Sequence, residues 1–144
     1  MKNTLMSMMI MLMISPFFIQ PQTSKVEVTI NGIENTKGNV EIGIYNSEST
    51  FPEYGKEFRG ATIKPTDSKV VKYTFNDLPD GTYAIAAWHD ENSNKELDKN
   101  LFGAPKEKYG FSKNKYGTFG PPDFEIVSFK VENGKAISLK ITLE

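Results

Sequence analysis

The stretch GTYAIAAWHD, Gly81 to Asp90, is apolar at nearly every position and carries no helical stripe. A half-buried strand alternates apolar with polar. A strand covered on both faces reads as a continuous apolar run, so this segment predicts a central, doubly covered β-strand. The PDG turn signal at Pro79–Gly81 marks its start.

Working outward, the period stays at two. KVEVTI places Val26, Val28 and Ile30 on one face, and GNVEIGIYN does the same with Val40, Ile42 and Ile44. KVVKYTF aligns Val71, Tyr73 and Phe75. FEIVSFKV aligns Ile126 or Val127 with Phe129 and Val131, and KAISLKITLE turns Ile137, Leu139, Ile141 and Leu143 inward. FRGATIKP is a further short strand candidate, and FPEYGKEF holds at most one helical turn between Pro52 and Gly55. Asn31-Gly32, Thr36–Asn39 and Asn133-Gly134 supply turns. Six or seven short strands at this spacing predict one all-β domain over residues 25–144, a sandwich in preference to a small barrel.

One segment breaks the pattern. From Asp90 to Asp123 alternation gives way to Gly, Pro, Asn and Lys, yet Phe102, Tyr109, Phe111, Tyr116 and Phe119 recur. Structureless loops above about 15 residues are uncommon and usually functional or disordered. The aromatic content predicts an ordered excursion packed on the sandwich. Trp88, Tyr109, Phe111, Tyr116 and Phe119 are candidates for a ligand-stacking platform, or for the core beneath the loop.

The loop opens with DENSNKELD, which sets Asp90, Asn92, Asn94, Glu96 and Asp98 at alternate positions. Hard cations such as calcium take six to eight oxygens, and alternate residues of a tight loop can supply them. Lys95 stands where an EF-hand has glycine, and Leu101 where it has a bidentate Glu. The loop is therefore not an EF-hand. It is either a shorter calcium cage with a structural role or a solvated turn capped by its own side chains.

Other chemistry finds little support. With no cysteine there is no disulfide, thiolate metal site or cysteine nucleophile. The single histidine, His89, lacks a nucleophile motif beside it and reads as a hydrogen-bonded residue at a strand end. No pair of carboxylates is singled out for glycoside hydrolysis. A net charge of −1 without a basic run points away from nucleic acid.

All six methionines lie within the first 13 residues, where Lys2 precedes an apolar run from Leu5 to Ile14 that PFFI extends. That is the pattern of a secretory signal peptide, expected over residues 1–24 with cleavage between residues 19 and 25. Ser7, Ser15 and Pro16 interrupt it too early for a spanning helix of about 20 residues. The expected product is exported (periplasmic, cell-surface or secreted), monomeric, and without a later membrane span.

Three blocks carry a resemblance: GNVEIGIYNSESTFP, FNDLPDGTYAIAAWHDENSNKELDKNLFGAPKEKYGFSKN and FGPPDFEIVSFKV. Together they resemble a bacterial exported family catalogued as domain of unknown function 2141, over roughly Val26 to Leu143. The resemblance implies export and assigns no enzymatic activity. More broadly, F-x-D-L-P-x-G-x-Y followed by W-x-D-x-N-x-N is similar to prealbumin-like or Cna-B-type sandwiches, some of which hold calcium. That similarity implies Asp90, Asn92, Asn94 and Asp98 as ligands. The expectation is a single antiparallel sandwich, immunoglobulin-like or prealbumin-like, of about seven strands with one long ordered loop. Its function would be a non-enzymatic binding or structural role toward a glycan or protein at the cell envelope, with calcium as the one cofactor. The alternative is an enzyme or carbohydrate-binding module acting on an extracellular polymer.

Overall fold

The computed structural model describes residues 23–66, 69–132 and 134–144. The expected signal peptide lies outside them, save for Thr23 and Ser24. The described residues form eight strands: β1 (Ser24–Asn31), β2 (Asn39–Tyr45), β3 (Arg59–Ile63), β4 (Val70–Leu78), β5 (Gly81–Asp90), β6 (Tyr109–Phe111), β7 (Phe129–Val131) and β8 (Ala136–Thr142). A 3₁₀ turn, Ser112–Asn114, and one helical turn, α1 (Phe124–Val127), complete them. Two sheets result, ordered β4-β1-β8 and β3-β2-β5-β6, with β7 also paired to β5.

The architecture is the expected all-β sandwich, with one difference in pairing. β1 and β8 run parallel, in register from Lys25↔Ala136 to Asn31↔Thr142. Antiparallel neighbours can be joined by a hairpin, whereas parallel neighbours need a long crossover. Here the crossover is nearly the whole domain, because the two strands are the first and last among the described residues.

Alternation places the core. Val26, Val28, Ile30, Val40, Ile42, Ile44, Val71, Phe75, Ile85, Ile141 and Leu143 are buried between the sheets. Burying each such side chain contributes about 1.5–3 kcal/mol before entropy is counted. Of the two alternatives in FEIV, Val127 is the buried one and Ile126 is exposed.

β5 is central, as its two apolar faces predict. Tyr83, Ile85 and Ala87 join the inter-sheet core. On the outer face Ala84 and Ala86 meet Tyr45, Phe111 and Val127 in a second cluster that Phe51, Tyr116 and Phe124 extend. The ten residues of β5 are long enough for two partners along one edge. β7 pairs with Gly81–Tyr83 and β6 with Ala86–Trp88. Between them the N–H of Ile85 donates to the buried Ser112 Oγ at 3.0 Å, and Ser112 donates to the Val127 carbonyl at 2.6 Å. The second cluster roofs the outer face near Ala84, while the stretch around Trp88 faces a groove.

Candidate functional site

The acidic loop leaves β5 at Asp90, whose side chain is fully buried. Its Oδ1 accepts the N–H of Asn94 at 3.1 Å, and its Oδ2 that of Lys95 at 2.9 Å. Asn92 Oδ1 accepts the Asn94 N–H, and Asn94 Oδ1 accepts the Glu96 N–H, as in successive Asx turns. Both amides then donate to one carboxylate: Asn92 Nδ2 to Asp98 Oδ2 at 2.8 Å, and Asn94 Nδ2 to Asp98 Oδ1 at 3.2 Å. So the Asn92 and Asn94 side chains meet Asp98, Asp90 joins the same turn through the backbone of Asn94 and Lys95, and Glu96 adds its backbone N–H and lies along the neighbouring groove.

Glu107 closes this turn and was not foreseen. Its two oxygens accept the N–H groups of Glu91 and Asp98, at 3.0 and 3.1 Å. Burial pushes its carboxyl above the ordinary range. Those two N–H groups oppose the rise, and the nearby Asp90 and Asp98 charges add to it. Among the described residues no three His, Cys, Asp or Glu side chains form a group able to hold a metal. His89 is buried, with Nε2 2.8 Å from the Lys37 carbonyl, and so pins the turn before β2.

Beyond the acidic turn, a groove of about 1240 Å³ runs along the outer face of the larger sheet. Residues 86–88 of β5 and Tyr109 and Phe111 of β6 form part of its lining, and residues 52–54, 94–97, 99, 102–105 and 117–121 supply the rest. Four of the five aromatics singled out from sequence, Trp88, Tyr109, Phe111 and Phe119, line it. Tyr116 does not. It packs into the second cluster, its hydroxyl donates to the Thr142 carbonyl at 2.6 Å, and burial together with the Glu144 charge pushes its phenol up to about 12. Phe102 and Phe119 stand almost fully exposed on the two long-loop segments.

Trp88 and Tyr54, in edge contact at 5.2 Å, also line a second and smaller cavity of about 240 Å³. Register explains its floor. Thr62, Glu41 and Trp88 lie opposite one another across β3, β2 and β5, and two residues further along β2 Gly43 and its partner Gly60 leave a shallow trough. Glu41 is only 2% exposed. Glu57, from the turn before β3, lies over the two glycines, since a Cβ on Gly60 would stand 2.7 Å from its Oε1. The one sequence sign of this cavity was Glu41, the single charged residue in the otherwise buried NVEIGIY strand.

Fold and site together define an all-β, two-sheet sandwich whose larger sheet carries an aromatic-lined groove on its outer face. The chain belongs to the bacterial family described as "Uncharacterized protein conserved in bacteria (DUF2141)", whose family model matches residues 28–138. No curated protein matches the chain, and no solved structure does.

Proposed function

We propose that the protein is an exported, non-enzymatic module of the bacterial envelope whose outer-face groove holds a glycan chain. The observation that carries this reading is the pair Phe102 and Phe119, exposed on separate loop segments that line one groove with Trp88 and Tyr109. Large apolar side chains left in water beside a concave surface mark interaction sites. Flat, electron-rich aromatic faces suit the C–H face of a sugar ring, and the hydroxyl of Tyr109 adds a polar group beside them. Export rests on the N-terminal leader pattern.

Trp88 is the only tryptophan, so its fluorescence reports on the groove. Titration with neutral and N-acetylated β-linked tetrasaccharides should give saturable changes. Phe102→Ala and Phe119→Ala together should weaken binding at least tenfold while leaving stability within about 0.5 kcal/mol, as for other exposed positions. Unchanged affinity in the double variant would overturn the reading.

Calcium enters this proposal at the Asp90–Asp98 turn, where two carboxylates and two amides share one short, hydrogen-bonded turn. A bound ion would neutralise Asp90 and Asp98 and hold the start of the loop. It must compete with two amide donors for Asp98, so weak binding is expected, on the order of the 10⁻⁴–10⁻³ M of extracellular modules. At tenfold over its Kd it would stabilise by about 1.4 kcal/mol. Melts in EDTA and in calcium test this. No shift, or an equal shift in Asp90→Ala, sinks the calcium reading.

The hydrolytic alternative has one observation in its favour, the carboxylates of Glu41 and Glu57 lining one cavity. Glycosidases seat sugars on both sides of the bond they cleave. At about 240 Å³ this cavity is smaller than the roughly 300–1,000 Å³ of ordinary ligand sites, which favours holding a head group over cleaving a chain.

A further inference from the structure

Three polar atoms of the small cavity's lining residues are shielded from water and have no hydrogen-bond partner: Glu41 Oε1, Glu57 Oε2 and Trp88 Nε1. Buried polar groups are almost always paired, so three orphans around one cavity call for a reason. Their chemistry is definite. An ionised carboxylate oxygen only accepts, and an indole N–H only donates. Glu41 Oε2 is taken by the Thr62 hydroxyl at 2.7 Å, which holds the carboxylate in place and leaves Oε1 free. Neither Glu41 nor Glu57 has an ion-pair partner among the described residues.

A ligand that satisfies all three carries donors and positive charge toward two carboxylates, and an acceptor toward the indole. Water could meet the hydrogen bonds but not the charge. A lysine side chain supplies the charge but no acceptor beside it. A bare metal ion would leave the indole N–H unmet. A protonated amine with a neighbouring hydroxyl satisfies all three, through charge-assisted bonds to both glutamates. We propose that this cavity is a head-group subsite for an amino sugar, whose ammonium binds Glu41 and Glu57 and whose adjoining hydroxyl accepts from Trp88. The idea rests on the glycan reading of the groove, because Trp88 and Tyr54 line both spaces and the rest of the chain would continue between Phe102 and Phe119. Access runs past Tyr54, a 45% exposed ring beside Gly55, and exposed rotamers change in nanoseconds or less.

The test is a Trp88 fluorescence titration of the purified protein with three β-1,4-linked tetramers: glucosamine, N-acetylglucosamine and glucose. The glucosamine tetramer should bind at least tenfold more tightly than the other two. Glu41→Gln and Glu57→Gln should each erase that preference, weakening the glucosamine tetramer at least tenfold more than the acetylated one. Should Glu41→Gln fail to fold, Glu57→Gln, on a surface turn, decides alone. Equal affinity for all three tetramers overturns the subsite and leaves the groove reading standing. A preference that survives both Gln variants, or a tetralysine peptide binding as tightly as the glucosamine tetramer, also overturns it. Loss of the preference in the Gln variants, with no effect of Phe102→Ala and Phe119→Ala, keeps the subsite and removes the groove. No response to any tetramer removes both.

Discussion

Lys95 occupies the place where a calcium loop has glycine, and the structure shows why that place matters. Its φ is +63°, in the left-handed region that non-glycine residues enter at a cost of roughly 1–2 kcal/mol. The Lys95 N–H must reach Asp90 Oδ2, and that bond holds the strained backbone. The residue breaks the motif as text while keeping its conformation. Lys95→Gly should therefore stabilise the protein, by about 0.5–1 kcal/mol after the extra freedom of glycine in the unfolded chain is offset. Urea unfolding measures this, and a loss of stability would show that the lysine side chain contributes something its backbone does not. Gly38 illustrates the same logic with true glycine. Its φ is +57°, and a Cβ there would lie 1.8 Å from the Asp90 carbonyl, so the turn that His89 pins has no room for a side chain.

At the scale of elements, the long loop is two excursions separated by β6. The first is tied at its base by Glu107, which reaches both Glu91 and Asp98. Because the folded-state pKa of Glu107 is raised, the folded form binds its proton more tightly than the unfolded chain does. Its contribution to stability is complete below the unfolded carboxylate value, near 4.3, and is lost as pH rises through the raised value. Urea melts should show wild type losing stability relative to Glu107→Gln as pH climbs from 4 to 7. A gap independent of pH would contradict the assignment. The second excursion uses its hydrogen bonds to close the sandwich. Asn114 accepts the Thr142 N–H and donates to the Lys140 carbonyl, imitating a strand along the free edge of β8. An uncovered edge would be a template for aggregation.

For the whole molecule, the two sheets meet along one seam where β6 approaches the C-terminal end of β8. Tyr109 and Glu144 exchange backbone hydrogen bonds at 3.2 and 3.0 Å. Gly110 lets them meet, since a Cβ there would stand 2.7 Å from the Thr142 carbonyl and 2.9 Å from Ile141. Gly110→Ala should cost about 1–3 kcal/mol by overpacking this seam, read as a lower urea midpoint. It should also weaken ligand binding, because β6 carries Tyr109 and Phe111 into the groove. An unchanged midpoint would mean that the seam yields without cost.

Much of this was legible in the chain itself. Alternation alone assigned Val26, Val28, Ile30, Val40, Ile42 and Ile44 to the core, and the double run of GTYAIAAWHD marked the central strand, because side-chain direction along a strand is a local property. The gathering of Asp90, Asn92, Asn94 and Asp98 into one turn was legible for the same reason, since a tight turn brings near neighbours together. The parallel pairing of β1 with β8, the closure of the acidic turn by Glu107, and the meeting of Glu41 with Glu57 and Trp88 were not. Each joins residues far apart in sequence or on different elements, and period two carries no information about which strands become neighbours. Only the tertiary structure decided which half of the outer face of β5 is roofed and which is left as a groove. That choice depends on how α1 and the loop aromatics pack, so there the candidate site is a product of packing and not of pattern.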